Sequence, residues 1–232
     1  MRLAATAGDS EAQFILGTAY QTGDGVAKNA LEAIEWFTLA AKQGSDAAQY
    51  SLGSGYWHGR FFPDATESER AQHYRRAAGW WLQAAKQGNA DAQQGLGLAF
   101  WVGQGTTRDT AKAVSWFRLA AQQGQPNAQH NLGFAYWVGE GTEALDQVKA
   151  VELYTLAAVQ GLPDAMYCLG VAYSSGKGVP AIDTKEAKVW WTKVSFLAYA
   201  RTCLPCRALL RVFASFFFGR LNSLFLALFV FK

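Results

Sequence analysis

Residues Trp116-Phe-Arg-Leu-Ala-Ala-Gln-Gln-Gly124 form a segment that the chain repeats. The other copies begin at Trp36, Trp80, Leu153 and Trp190, and the last of them breaks off after Lys193. Each complete copy is followed by a second motif, Leu-Gly with an aromatic residue three positions later. The glycines of this second motif are Gly17, Gly53, Gly97, Gly133 and Gly170, separated by 36, 44, 36 and 37 residues. A period of this length with two helical patterns per unit is typical of an α-solenoid.

Each unit has the pattern of two antiparallel helices. In the first unit Ala12, Leu16, Ala19 and Tyr20 share one apolar stripe at helical spacing. The residues expected to cap the first helices are Asp9, Asp46, Asp91, Asn127 and Asp164. Gly-x-Gly turns separate the two helices, and because no strand precedes them they predict neither a phosphate site nor a cofactor. The sequence therefore predicts an all-α array of about five antiparallel helix pairs without strands.

The repeats divide the chain into two parts. Residues 1–193 form the predicted solenoid, and residues 194–232 form an apolar, basic tail without the repeat. The units run roughly over 9–44, 45–88, 89–124, 125–161 and 162–193. Residues 3–8 match 39–44, the end of a second helix, so we expect the start of the chain to be the remnant of an upstream repeat. The chain is then either a fragment of a longer array or is capped at this end by another molecule.

The combined motifs resemble the Sel-1-like repeat, an α/α unit related to the tetratricopeptide repeat. The resemblance rests on Leu-Gly, the following aromatic residue, Gly-x-Gly-Val, Ala-x-x-Trp and Ala-Ala-x-x-Gly, and it covers about residues 3–193. The departures are a turn eight residues longer in the second unit, Leu153 in place of Trp, and the loss of the pattern after Lys193. The resemblance implies a right-handed α/α superhelical solenoid. It also implies an adaptor or scaffold that binds a partner protein or peptide on its concave face.

The charge distribution argues against nucleic acid as a partner. The chain carries a net charge of +3, but the tail alone has five bases and no acid. Residues 1–193 therefore hold 16 bases and 18 acids, which gives no basic surface for phosphates.

An enzyme is the alternative function class, because some cysteine-rich relatives of this repeat bind or hydrolyse β-lactams. Those proteins have paired cysteines in each repeat, whereas this chain has only Cys168, Cys203 and Cys206. The histidines, His58, His73 and His130, show no metal-ligand spacing. We therefore predict no catalytic residue, no metal site and no enzymatic activity.

Residues 208–231 of the tail are rich in Phe, Leu and Val but are interrupted by Arg211 and Arg220. Three interpretations stay open: a misjudged exon or reading frame, a C-terminal membrane anchor, or an apolar helix that caps the last repeat. Cys203 and Cys206 have no second ligand pair nearby and are interpreted as incidental. No signal peptide is recognised, so a cytoplasmic location is favoured, and membrane association is expected only through the tail.

Three consecutive units place a tryptophan at one equivalent position of the first helix. We predict that Trp57, Trp101 and Trp137 bind the partner on the concave face, since Trp is enriched in binding hot spots. Gln49, Gln93 and Gln129 lie eight residues earlier on the same helix face, with the Leu-Gly glycine between, and are predicted to contribute amide groups. The alternative is that the tryptophans pack against the next unit. For the long turn of the second unit, packing of Phe61 and Phe62 beneath the loop and contact with a partner are both open.

Overall fold

The computed structural model describes residues 2–194, and within that range the chain forms eleven α-helices and no strand. In chain order these are α1 (Arg2–Thr6), α2 (Ser10–Thr22), α3 (Ala30–Lys42), α4 (Asp46–Trp57), α5 (Glu67–Lys86), α6 (Ala90–Val102), α7 (Thr110–Gln122), α8 (Pro126–Val138), α9 (Gln147–Val159), α10 (Pro163–Ser175) and α11 (Thr184–Lys193). None of these helices is long and apolar enough to cross a membrane. The predictions for 195–232, including the anchor at 208–231 and Cys203 and Cys206, fall outside the described residues.

The helices from α2 onward pack as five antiparallel pairs, beginning with α2 and α3 and ending with α10 and α11. The second helix of each pair also packs on the first helix of the next pair. The array is a right-handed α/α superhelical solenoid, so the predicted fold class is confirmed. Helix α1 packs on α2, in the place that a second helix occupies before each later pair.

The two sequence motifs of each unit form the two halves of one contact. The glycine of the Leu-Gly motif faces the second aromatic residue of the Trp-aromatic motif in the same pair. A Cβ atom at Gly97 would lie 2.6 Å from Cδ1 of Phe117, and one at Gly53 would lie 2.4 Å from Cδ1 of Trp81. The same contact joins Gly17 to Phe37, Gly133 to Tyr154 and Gly170 to Trp191. Glycine is needed here because any larger residue would push the two helices apart.

The Gly-x-Gly turns fix the position of each pair against the preceding pair. The first glycine ends the first helix in the left-handed conformation, as at Gly103 with φ 74°. In the last three of these turns the second glycine lies on the preceding second helix, at its first residue for Gly141 and Gly178 and further along it for Gly105. A Cβ atom would lie 2.2 Å from the carbonyl oxygen of Tyr74 at Gly105, and 2.3 Å from that of Thr110 at Gly141. These turns are therefore structural contacts between neighbouring units.

Most of the predicted N-caps are displaced by one or two residues. Asp9 caps α2 as predicted, by accepting from the backbone N–H of Ala12 at 2.7 Å. The caps of the other four first helices are Ser45, Asn89, Gln125 and Leu162. These helices begin earlier than expected, so Asp46, Asp91, Asn127 and Asp164 lie in the first helical turn. The three acids among them still complement the positive end of the helix dipole.

Candidate functional site

Trp57, Trp101 and Trp137 lie at equivalent positions near the C-terminal ends of α4, α6 and α8, and all three are partly exposed. Each ring contacts the second-helix aromatic that fills the space beside the Leu-Gly glycine. The ring centroids are 5.1 Å apart for Trp57 and Trp81, 6.3 Å for Trp101 and Phe117, and 6.2 Å for Trp137 and Tyr154. One side of each indole is therefore fixed against the core, while part of it stays accessible.

Two of the tryptophans make a further aromatic contact. Trp57 packs on Tyr74 of α5, with centroids 4.9 Å apart. Trp101 meets Phe134 of α8 edge to face, with centroids 6.0 Å apart and planes inclined by 67°. Trp101 thus connects the third unit to the fourth, which supports the alternative that these residues pack against neighbouring units. Contact of their exposed parts with a partner stays a prediction.

The glutamines on the same helix face lie inside the array. Gln49, Gln93 and Gln129 are only 4–5% exposed. Nε2 of Gln49 donates to the carbonyl of Ala41 at 3.1 Å, and Nε2 of Gln93 donates to that of Ala85 at 3.2 Å. Both acceptors belong to the preceding second helix.

Each of these glutamines also accepts a hydrogen bond from a second glutamine that ends its own second helix. The three donors are Nε2 of Gln87, Gln123 and Gln160, each 2.8 Å from the Oε1 atom of its partner. Gln13 makes the same pair of bonds, to Ala5 of α1 and from Gln43. The buried amides of Gln49 and Gln93 thus link three successive helices, and a contribution of the glutamines to partner binding stays a prediction.

A second buried contact joins residues that the sequence left unrelated. Nε2 of His130 in α8 lies 3.7 Å from Sγ of Cys168 in α10. When the fourth and fifth units are aligned, Cys168 falls one position after the equivalent of His130. This alignment could have predicted their contact from the sequence. Both side chains are buried, so the pair lies in the core between units four and five. Among residues 2–194 no group of three His, Cys, Asp or Glu side chains is arranged to hold a metal ion.

The long turn of the second unit packs part of its aromatic content under the loop. Phe61 is buried against Gly55, where a Cβ atom would lie 2.1 Å from its ring. The other four first helices have alanine at the position of Gly55, and this difference was the available sequence signal. Phe62 is partly exposed and stacks on His73 with centroids 4.7 Å apart. The packing alternative therefore holds for Phe61.

The same insertion lengthens the second helix of this unit. Helix α5 has 20 residues, whereas α3, α7 and α9 have 13. It begins seven residues before Tyr74, the residue that contacts Gly105, and its start is fixed by a capping box between Thr66 and Glu69. The added two turns face the Gly103–Thr107 turn across an open cleft of about 840 Å³. This cleft was not predicted, although the capping-box spacing is visible in the sequence.

A smaller cavity of about 330 Å³ adjoins this cleft along the same helix segment. Its walls are mainly aromatic: Tyr56, Trp57, Phe62, His73 and Tyr74, with His58, Gly59, Pro63 and Arg70. Burial, helped by Arg60, lowers the pKa of His58, and burial, helped by Arg76, lowers the pKa of His73. The neutral form of both imidazoles is therefore favoured, and Arg70 is the charged side chain in a wall that is otherwise mainly aromatic.

Comparisons with known proteins agree with this architecture. The Sel1 repeat family model matches residues 10–45, 46–89, 90–125, 126–162 and 163–193. A protective antigen of uropathogenic Escherichia coli strains, which displays an SLR fold, is 37% identical with a TM-score of 0.74, and the match covers 84% of this chain and 40% of that one. The match therefore spans about two fifths of the length of that antigen.

A Sel1 repeat protein from Oxalobacter formigenes is 32% identical with a TM-score of 0.70, and the match covers 79% of this chain and 69% of that one. No curated protein matches the chain. Five family matches in succession, together with the helix pairs and their repeated glycine–aromatic contacts, lead to one conclusion. The chain belongs to the Sel1 repeat family.

Proposed function

We propose that this protein is a scaffold that binds a partner protein or peptide on the concave face of the array. Sel1 repeats generally mediate protein–protein interaction, and solenoids of helix pairs present extended concave surfaces that suit long ligands. The first helices are expected to line this face, and in the structure α4 and α6 contact each other directly. The partner would therefore be held mainly by first-helix side chains.

The observation that carries the proposal is the row formed by Trp57, Trp101 and Trp137. The three side chains recur once per unit and are partly exposed, and the aromatic residue beneath each one fixes its ring. A fixed, partly exposed indole loses little conformational entropy when it is covered, which favours binding. The buried glutamines have a supporting role in this proposal, because they tie each first helix to the second helices on either side of it.

The test compares two identical substitutions in the third unit, Trp101→Phe and Trp116→Phe. Trp101→Phe keeps a ring between Phe117 and Phe134 but removes the indole, whereas Trp116 lies on the second helix α7. Each full-length variant is immobilised and the captured proteins are quantified by mass spectrometry. We expect a defined set of proteins to fall at least about tenfold with Trp101→Phe and to stay unchanged with Trp116→Phe.

Trp101→Ala separates packing from binding in the same assay. Since its ring packs on two aromatic neighbours, we expect this change to cost about 3 kcal/mol of stability, measured by urea unfolding. Equal capture by the wild type, Trp101→Phe and Trp116→Phe would remove the support for the concave tryptophans.

A further inference from the structure

We propose a second binding surface, at the edge of the array between units two and three, for an acidic segment of a partner protein that also carries an aromatic side chain. We call it the junction cleft, and it is formed by residues 67–75 of α5 and residues 103–107 of the following turn. It lies apart from Trp101 and Trp137, whereas Trp57 lines the aromatic cavity that adjoins it. We expect its occupancy to be independent of Trp101.

The junction cleft exists because the N-terminal end of α5 extends beyond the position at which α7 and α9 begin in their own units. In units three and four the second helix starts at Thr110 or Gln147, and that same residue receives the turn glycine of the next unit. In unit two the turn glycine Gly105 lies on Tyr74, but α5 extends seven residues further toward its N-terminus. Seven helical residues add about 10 Å of wall. The repeat geometry thus stays intact while one unit gains a side wall next to the turn.

Among the side chains that line the cleft, arginines outnumber acids, because Glu69 of the same helix segment accepts hydrogen bonds from Thr66 instead. Arg70 and Arg75 line the cleft and are exposed, and neither forms an ion pair in residues 2–194. Arg108 is paired with Glu140 and Lys112 with Asp109, and Arg76 lies over the ring of Tyr56.

One acid, Glu67, also lines the cleft, in the first turn of α5 where the helix dipole favours it. Two guanidinium groups against one carboxylate leave a net positive site. Guanidinium groups bind carboxylates through paired hydrogen bonds, so the cleft fits a partner's Asp or Glu.

The aromatic cavity described above adjoins the cleft through two shared wall residues, Arg70 and Tyr74. The cleft adds Arg75 to these shared residues, and the cavity adds Tyr56, Trp57 and Phe62. Arg70 therefore lies between a basic cleft and a mainly aromatic cavity. A ligand that bridges both needs an acidic group and an aromatic or aliphatic group a few residues apart, which a peptide segment supplies.

The size and charge of the surroundings favour a peptide over nucleic acid. Volumes of 840 and 330 Å³ are within the range of pockets that hold small ligands or single side chains. With 16 bases against 18 acids in residues 1–193, the array lacks the extended positive field that phosphate backbones require. Exposed Gln104 and Thr107 in the cleft offer polar groups for a peptide backbone.

The test uses the full-length protein and short fluorescein-labelled peptides. The first probe has two glutamates before a phenylalanine, the second replaces both glutamates by glutamine, and the third replaces the phenylalanine by alanine. Binding is followed by fluorescence anisotropy at low salt. We expect the first probe to bind best, and each replaced group to weaken binding at least about fivefold.

Two variants locate the site, and two others serve as controls. Arg70→Gln and Arg75→Gln are expected to weaken the acidic probe about tenfold each while the melting temperature stays unchanged, because both side chains are exposed. Arg118→Gln is the matched control, since it removes an exposed arginine from α7, outside the cleft. Trp101→Phe should leave this binding intact, which separates the junction cleft from the concave face.

Several outcomes would overturn the proposal. They are equal binding of the neutral and acidic probes, an equal loss with Arg118→Gln, or no binding of any probe up to about millimolar concentration. Stronger binding of a single-stranded oligonucleotide than of the acidic peptide would assign the cleft to nucleic acid instead.

Discussion

At the scale of single residues, the fold depends on glycines in the first helices that leave space for an aromatic ring from the second helix of the same pair. The sequence showed that each unit combines a Leu-Gly motif with a motif that contains an aromatic pair or a single aromatic residue. It did not identify the ring that enters each space, because Phe117 and Trp116 are both aromatic neighbours in one motif and periodicity alone does not say which faces the partner helix. The structure assigns the second aromatic of each motif to the glycine and leaves the first partly exposed.

This contact predicts opposite effects for two identical substitutions. In Gly97→Ala the new methyl group would lie 2.6 Å from Cδ1 of Phe117 and 3.2 Å from the carbonyl oxygen of Ala113. We expect a loss of about 1–3 kcal/mol in the free energy of unfolding, because overpacking exceeds the gain in helix propensity.

Gly79→Ala is the control, since a Cβ atom at this helical position has no neighbour within 4 Å. There we expect a gain of roughly 0.5–1 kcal/mol from helix propensity alone. Urea unfolding of both variants measures the difference, and a stabilised Gly97→Ala protein would contradict the packing argument.

At the scale of the helices, the sequence placed Gln49, Gly53 and Trp57 correctly on one face of α4 but could not say what covers that face. A first helix in this array touches its own second helix, the preceding second helix and the neighbouring first helices. More than one face is therefore buried, and a polar residue at helical spacing can lie inside when its hydrogen bonds are satisfied. The period alone cannot separate this case from an exposed polar face.

The glutamine contacts predict a measurable cost for Gln93→Ala. The change removes the bond to Ala85 and leaves the amide of Gln123 without its acceptor. We expect a loss of about 1–3 kcal/mol of stability, because buried polar groups lose their partners. Gln83→Ala is the matched control, since Gln83 is exposed on α5, and there the change should stay within about 0.5 kcal/mol. Comparable effects of the two substitutions in thermal unfolding would disprove the linking role of Gln93.

At the scale of the whole molecule, the period alone was enough to predict five helix pairs. The junction cleft could not be predicted, because it depends on residues 67–75 meeting a turn that lies about 30 positions later in the next unit. Contacts across such a distance follow from the stacking geometry, which the period implies only coarsely. In solenoids each unit contacts only its neighbours, so the stability of the array depends on these interfaces.

Gly141→Ala should weaken the interface between the third and fourth units, so that the two parts of the array unfold separately. Its φ of 72° disfavours a side chain, and the Cβ atom would lie 2.3 Å from the carbonyl oxygen of Thr110. We expect hydrogen exchange to show that α8 to α11 lose protection before α2 to α7, because the third and fourth units are no longer coupled. Gly124→Ala carries a similar backbone strain, φ 85°, but has no neighbour within 4 Å, so it should lower protection only locally. Uniform loss of protection in Gly141→Ala would argue against an interface of this kind.

The position of the insertion in the second unit has a consequence for how such arrays diversify. The extra residues lie between two contacts that the unit retains, Gly53 with Trp81 inside the pair and Gly105 with Tyr74 across to the next pair. A change in length between these contacts leaves the stacking of the helices unaltered. Residues 59–73 can therefore change in length and sequence, and so provide different binding surfaces, without altering the geometry of the superhelix.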